Sequence, residues 1–293
     1  MIRTSEIRNV ETDDGGMLVV DLFQDGVLME KRPLPGKNMY YAKDVSSNWQ
    51  NGIIKLEENT EPMKIKPMHQ EIIDRCRDAD HRFWAGDNIS SLIKEGEKEQ
   101  LINEAADAFE TVLDTLVIDR ETDPNSHGTA RRLAKMYFNE LMAGRYEPMP
   151  SATAFPNDSE DRYEGMLVVR SELKSVCSHH HQPVAGVAYI GIIAAEKLIG
   201  LSKYTRIAQW CARRGTLQEE LANDIAREIM KATGAKDVGV YIQATHGCCE
   251  NRGIMAHSSL TQTTVLKGQF FSDAGTKKEF FDNIKLQQEF APR

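Results

Sequence analysis

From residue 99 onward the chain switches between two hydrophobic periods. Leu101, Ile102, Ala105, Phe109, Val112, Leu113 and Leu116 recur at three-to-four-residue spacing, which puts them on one face of a helix. A second helix is predicted over 129–142. Residues 144–164 carry three prolines among polar residues and read as a loop. Beyond it the pattern predicts strands near 166–173 and 184–193 and helices near 203–213 and 217–233. Strands near 238–245 and 261–270 and a last helix near 277–287 follow. Two pairs of strands separated by two helices make an α+β domain.

The first part of the chain reads differently. Strand candidates at 17–23 and 27–31 flank Gln24-Asp25-Gly26, whose Asp-Gly pair is a hairpin signal. Pro33, Pro35 and Gly36 break the pattern, and 44–54, with Trp49, has the spacing of a short amphipathic helix. The polar stretch 57–67 reads as a linker. Residues 68–93 read as one or two helices around His81, Phe83 and Trp84, which are expected to pack rather than to ligate. The expected division is an extension of unassigned role over 1–65, a β-hairpin unit by its pattern, then a helical connector over 66–98 and the larger domain over 99–293. No internal repeat or low-complexity tract stands out.

Two clusters in the larger domain have metal-ligand character. Cys177-Ser178-His179-His180-His181 lies on one side of the helical pair and His246-Gly247-Cys248 on the other. Cys177, His180 and Cys248 supply two thiolates and an imidazole, the three protein ligands of a zinc site whose fourth position is kept for water or substrate. One zinc per chain is expected, and an enzyme with it. If the strand near 238–245 continues, His246 and Cys248 point to one face and Cys249 to the other, so a second imidazole sits near the metal. A closed structural zinc site is the rival reading; it would need His181 or Cys249 as fourth ligand. Cys76 and Cys211 have no partner at ligand spacing and read as small buried hydrophobes.

A second constellation gathers cations and a carboxylate. Gly200-Leu201-Ser202-Lys203-Tyr204-Thr205-Arg206 leads into a helix and is followed by Arg213-Arg214-Gly215-Thr216-Leu217-Gln218-Glu219. Ser202, Lys203 and Arg206 have the chemistry to hold phosphate at a helix N-terminus. Glu219 can accept two hydrogen bonds from a guanine edge, and Arg252 adds a cation just past the metal strand. Any one of these alone is more often a solvated helix residue; the combination is what points to a phosphorylated purine.

Composition narrows the setting. The 293 residues are 41% hydrophobic and carry a net charge of −8, which suits a basic pocket for a small phosphorylated substrate better than a nucleic-acid surface. No apolar run approaches the ~18 residues of a membrane span, and Met1-Ile2-Arg3-Thr4-Ser5-Glu6 does not begin a secretory signal. The five cysteines do not suggest a disulfide framework. A cytoplasmic protein without nucleic-acid or membrane partners is the expectation.

Residues from about 99 to 290 resemble GTP cyclohydrolase I. The resemblance is carried by Thr129-Ala130-Arg131-Arg132-Leu133-Ala134-Lys135-Met136-Tyr137, Cys177-Ser178-His179-His180 and Gly200-Leu201-Ser202-Lys203. Leu217-Gln218-Glu219, Ala244-Thr245-His246-Gly247-Cys248 and Arg252-Gly253 complete it, in family order and at family spacing. It implies the tunnelling fold, a two-layer arrangement of antiparallel sheet with helices on one face, whose subunits join edge to edge into a β-barrel and a decamer. It implies GTP as substrate, 7,8-dihydroneopterin triphosphate and formate as products, and zinc held by Cys177, His180 and Cys248. His179 and His246 would be the acid/base imidazoles, and Glu219 with Gln218 would anchor guanine. Ser202, Lys203, Arg206 and Arg252 would hold the triphosphate and ribose end, with Arg132 reaching the phosphates from a neighbouring subunit. Ser178 stands where the family usually has Glu, His181 where an apolar residue is usual, and Ala130 in place of Pro. A related tunnelling-fold enzyme of pterin or 7-deazaguanine metabolism, or a weakly catalytic zinc-stabilised binding protein, remains the alternative. Whether the product feeds folate, another pterin or a 7-deazaguanine stays open.

Overall fold

A computed structural model describes residues 2–12, 15–54, 66–158 and 162–290. The chain divides into two compact units, Met1–Pro67 and Met68–Arg293.

In the first unit β1 (Arg3–Thr12), β2 (Gly15–Gln24) and β3 (Val27–Leu34) form an antiparallel sheet in that order, and α1 (Met39–Gln50) packs on it. Asp25 and Gly26 both take positive φ, 50° and 80°, the backbone pair that a two-residue hairpin turn needs to match strand twist. Val20, Leu22, Leu34, Ala42, Val45 and Trp49 make the core. The Trp49 indole donates to the Thr4 and Phe23 carbonyls at 2.9 and 3.0 Å, so its one polar atom is satisfied inside. β1 escapes the hydrophobic pattern because Ile7 is its contribution to that core. α1 starts earlier than its apolar spacing suggests because the Asn38 side chain caps it, accepting from the Tyr41 N–H at 3.1 Å. The linker expected over 57–67 falls largely outside the described residues.

The second unit opens with α2 (Met68–Asp78), α3 (Glu97–Thr115) and α4 (Thr129–Met136), continued by a π-helical turn, Tyr137–Leu141, and by α5 (Ala143–Tyr146). Ile72, Cys76, Leu101, Ile102, Ala106, Ala134 and Phe138 bury one another between these helices. Phe83 joins them, whereas Trp84, expected to pack, is exposed with the Arg82 guanidinium 4.4 Å from its ring centre. β4 (Ala154–Pro156) precedes the long strands β5 (Met166–Val176) and β6 (Pro183–Ile193), and β7 (Lys197–Ile199) pairs back onto β4. Next come α6 (Leu201–Ala212), α7 (Gln218–Thr233), β8 (Val238–His246), α8 (Gly247–Glu250), β9 (Thr261–Lys267), α9 (Gln269–Ser272) and α10 (Ala274–Phe290). The main sheet is antiparallel, in the order β5-β6-β8-β9. Helices and antiparallel sheet together make an α+β unit.

The expectation of helices on one face needs correction. Ala188, Ile190, Ile192, Val238, Val240 and Ile242 face α6 and α7, packing on Ile207, Leu221, Ile225 and Ile229. Their strand neighbours Tyr189 and Tyr241 face the other way, onto Phe270, Phe280 and Ile284 of α9 and α10. Helices therefore lie on both faces, which is why β6 reads as a nearly unbroken apolar run rather than an alternation. β9 also stops at Lys267, short of 270, because Gly268 at φ 60° turns the chain and delivers Phe270 to this second face.

Gly191 and Gly239 are opposite one another in β6 and β8. A Cβ on Gly191 would lie 2.6 Å from a Phe280 ring carbon, and one on Gly239 2.8 Å from the Phe270 ring. The glycine pair is the hollow that admits the two aromatic rings. Gly191→Ala is expected to destabilise the protein by about 1–3 kcal/mol, the usual cost of overpacking. Urea unfolding reads this directly, and an unchanged midpoint would show that the rings shift aside freely.

Candidate metal centre

Strand register brings the two ligand clusters to one end of the sheet. Val176 pairs with Pro183, and Val184 pairs with His246, so the loop after β5 and the end of β8 are neighbours across β6. That loop, 177–182, is closed by the Cys177 N–H donating to the Gln182 carbonyl and the His181 N–H to the Cys177 carbonyl, both at 2.9 Å. It holds Cys177 inside, 6% exposed, and leaves His179 and His180 exposed. His181 makes the turn at φ 50° and sets its ring 5.6 Å from that of Tyr137, tilted by 48°, a packing contact where an apolar side chain would otherwise serve.

β8 does not continue through Cys248. The strand ends at His246, and Gly247 starts the short helix α8, so the alternation argument for Cys248 and Cys249 does not apply. A Cβ at position 247 would sit 3.1 Å from the Pro183 carbonyl, and glycine is what lets α8 turn in against β6. The helical turn nonetheless brings Cys248 to Cys177 and His180: their ligand atoms all lie within 4.8 Å of one another. Cys249 lies beside Cys248, near enough for a thiol hydrogen bond, and is not in that group.

The donor set fits zinc. Burial, with the Cys177 and Cys249 thiols close by, pushes the Cys248 thiol up to about 11. Two thiols this close resist ionising together unless a cation shares their charge. Two sulfurs and one imidazole satisfy three positions of a zinc tetrahedron and leave the fourth open. Cys76 and Cys211 are fully buried, and burial raises both, Cys211 to about 12; they pack as small apolar groups.

His246 is fixed from the side. Its Nε2 lies 2.7 Å from Oε1 of Gln218, the first residue of α7. Gln218 is only 4% exposed, and its Nε2 donates to Thr263 Oγ1 at 3.0 Å and the Thr261 carbonyl at 3.2 Å. The hydroxyl of Thr263 has no sequence signal: it becomes relevant only because β9 pairs with β8, placing Thr263 opposite Ile242.

The remaining candidates are distributed around α6, α7 and α8. α6 starts at Leu201, not at 203, so Ser202 and Lys203 lie in its first turn, where unsatisfied N–H groups favour an anion. Ser202 and Arg206 are exposed, and the Lys203 ammonium donates to the Ser151 carbonyl at 2.7 Å. Glu219 is exposed in the first turn of α7, and Arg252 is exposed just past α8. Arg132 is spent on its own neighbourhood, donating to the Asn125 and His127 carbonyls and to Thr129 Oγ1 at 2.9, 3.0 and 2.7 Å.

A sequence profile described as GTP cyclohydrolase I matches residues 105–285. The chain belongs to the GTP cyclohydrolase I family. Membership makes it an enzyme, as the resemblance over the second unit implies. The GTP cyclohydrolase 1 of Flavobacterium johnsoniae is 38% identical over 194 residues, 66% of this chain and 85% of that protein. That of Aeromonas salmonicida is 39% identical over 176 residues, 59% of this chain and 79% of that protein. That of Pseudoalteromonas translucida is 35% identical over 188 residues, 62% of this chain and 98% of that protein. The family segment begins within α3 and ends within α10, so the first unit lies outside it.

Proposed function

We propose that the protein is a zinc-dependent GTP cyclohydrolase I, opening the guanine imidazole ring of GTP, releasing formate and yielding 7,8-dihydroneopterin triphosphate. The observation that carries this reading is the convergence of Cys177, His180 and Cys248 at the sheet end where β8 delivers His246. Cys177, His180 and Cys248 would hold the zinc, and the metal would supply Lewis-acid activation of water at neutral pH.

The chain's own residues do the rest. His246 gives a proton to the ring nitrogen next to carbon 8 and takes it back, since imidazole works in both directions near neutral pH. His179, exposed on the same loop as His180, moves protons as the ribose opens and the ring recloses. Glu219 accepts from the guanine ring N–H and exocyclic amine. Ser202 and Lys203 at the α6 N-terminus, with Arg206 and Arg252, hold the triphosphate. The catalytic domain is 99–293, with 66–98 as its helical connector and 1–65 as an extension.

The sheet edges support an assembly of several copies. Among the described residues β5 pairs only with β6 and β9 only with β8, which leaves both outer edges of the sheet open. Joining such edges between copies is how a tunnelling-fold barrel closes, and a homodecamer working in the cytoplasm is the reading that goes with it. Arg132 would then let go of its own loop to reach a neighbour's phosphates. Among the described residues no helix is long and apolar enough to cross a membrane.

Incubation with GTP, oxidation and detection of neopterin fluorescence tests the activity; absence of fluorescence with zinc bound would overturn it. His246→Ala is expected to keep zinc and still bind GTP, yet to lose turnover by roughly a hundredfold or more, the usual scale for a general acid/base. Turnover near the parent's would remove His246 from the reaction.

A further inference from the structure

The bonds around Gln218 dictate which nitrogen of His246 carries its proton. The Gln218 side chain is 4% exposed and has a different set of partners at each end. One end meets the carbonyls of Thr261 at 3.2 Å and Ile242 at 3.4 Å, with Thr263 Oγ1 at 3.0 Å. Carbonyl oxygens can only accept, so this end is the amide NH2; turning the amide over would set oxygen against oxygen in a buried place. The other end, 2.7 Å from His246 Nε2, is therefore the amide oxygen, which also can only accept. A bond between them requires hydrogen on Nε2. Among the described residues His246 Nδ1 has no hydrogen-bond partner.

We propose that Gln218 is a positioning residue for the reaction: it holds the neutral His246 ring as the Nε2–H tautomer and leaves Nδ1 to exchange the proton with the purine. This rests on the reading of His246 as the acid/base group and departs from a role for the Gln218 side chain in holding guanine. The chain of constraint is continuous. β9 pairs with β8 and supplies Thr261 and Thr263; these orient the amide at the first residue of α7; the amide orients the ring at the last residue of β8. For the transfer the ring first takes a proton from solvent at Nδ1; that N–H bond then breaks as one forms on the purine nitrogen, and the ring is left as the tautomer that Gln218 already favours. Without the amide, the neutral ring divides between two tautomers, and in one of them Nδ1 already carries the hydrogen and cannot accept.

The test starts with the parent protein, zinc-loaded and labelled with 15N histidine. Solid-state NMR separates a pyrrole-type from a pyridine-type nitrogen, and His246 is identified by the signals lost in His246→Ala. The expected result is a pyrrole-type Nε2 and a pyridine-type Nδ1 in the neutral ring; the reverse pattern would overturn the proposal. In Gln218→Met, which keeps length and loses both bonds, the His246 signals are expected to show both tautomers. Turnover should then fall by about tenfold to a hundredfold, the scale for losing the partner that orients an imidazole, with KM for GTP and zinc content unchanged. A variant that binds GTP and guanosine weakly but turns over at the parent's kcat would mean that Gln218 contacts the base, and the proposal would fail. Were that variant unable to fold, the parent spectrum alone would still decide. The parent tautomer does not depend on turnover, so a protein with the expected spectrum and no neopterin product would sink the functional reading, and the catalytic role of Gln218 with it, while the hold of Gln218 on the Nε2–H tautomer would stand.

Discussion

Cys177→Ala, His180→Ala and Cys248→Ala are each expected to strip the protein of zinc and of GTP turnover together. The three side chains come from two elements on either side of β6, with ligand atoms within 4.8 Å of one another. A site with three protein ligands has none to spare. The parent should hold about one zinc per chain, as an open three-ligand site requires, and each variant close to none when measured by atomic absorption after dialysis. Cys249→Ala is the control: its thiol neighbours Cys248 but stands outside the ligand group, so metal and turnover should remain. Full zinc retention in Cys248→Ala would show that the ligand set is misassigned, with Cys249 the first residue to test in its place.

ATP is expected to fail as a substrate by a factor of about 10⁴ or more, the discrimination reached when a site built for hydrogen bonds is left unpaired. Glu219 offers a carboxylate in the first turn of α7, and guanine presents a ring N–H and an exocyclic amine side by side. Adenine presents no such pair, so the carboxylate would lose water and gain nothing. Glu219→Ala should weaken GTP binding while leaving zinc in place. Lys203→Ala and Arg252→Ala should weaken GTP far more than guanosine, because their contacts belong to the triphosphate. Calorimetric titration of each variant with both ligands separates the two ends of the pocket. GTP binding by Glu219→Ala as tight as the parent's would end the base-recognition account.

Much of this was legible in the residues themselves. The Cys-x-x-His spacing announces a turn that brings a thiol and an imidazole together, and 177–182 is a turn with Cys177 and His180 in one candidate metal group. The Asp25-Gly26 pair announces a hairpin because few other dipeptides accept two positive φ angles, and the hairpin is there. The motifs from Thr129 to Gly253 were enough to name the family, because each marks a local backbone feature or a chemical group that does not depend on distant packing.

Other features depended on contacts between segments far apart in the chain. Cys248 joins Cys177 through a helical turn and not through strand alternation, because Gly247 can approach the Pro183 carbonyl; no local period reports that approach. Helices cover both sheet faces because Gly191 and Gly239, opposite each other in β6 and β8, open a hollow for Phe270 and Phe280. The sequence by itself determined which side chains can bind metal, accept a proton or pair with a base, since those are properties of residue type and short spacing. Only the tertiary structure decided how they are held: strand register set Thr261 and Thr263 on Gln218, and Gln218 on His246. Hydrogen-bond direction inside a buried network is settled by which acceptors surround it, and those come from strands that meet only when the sheet forms.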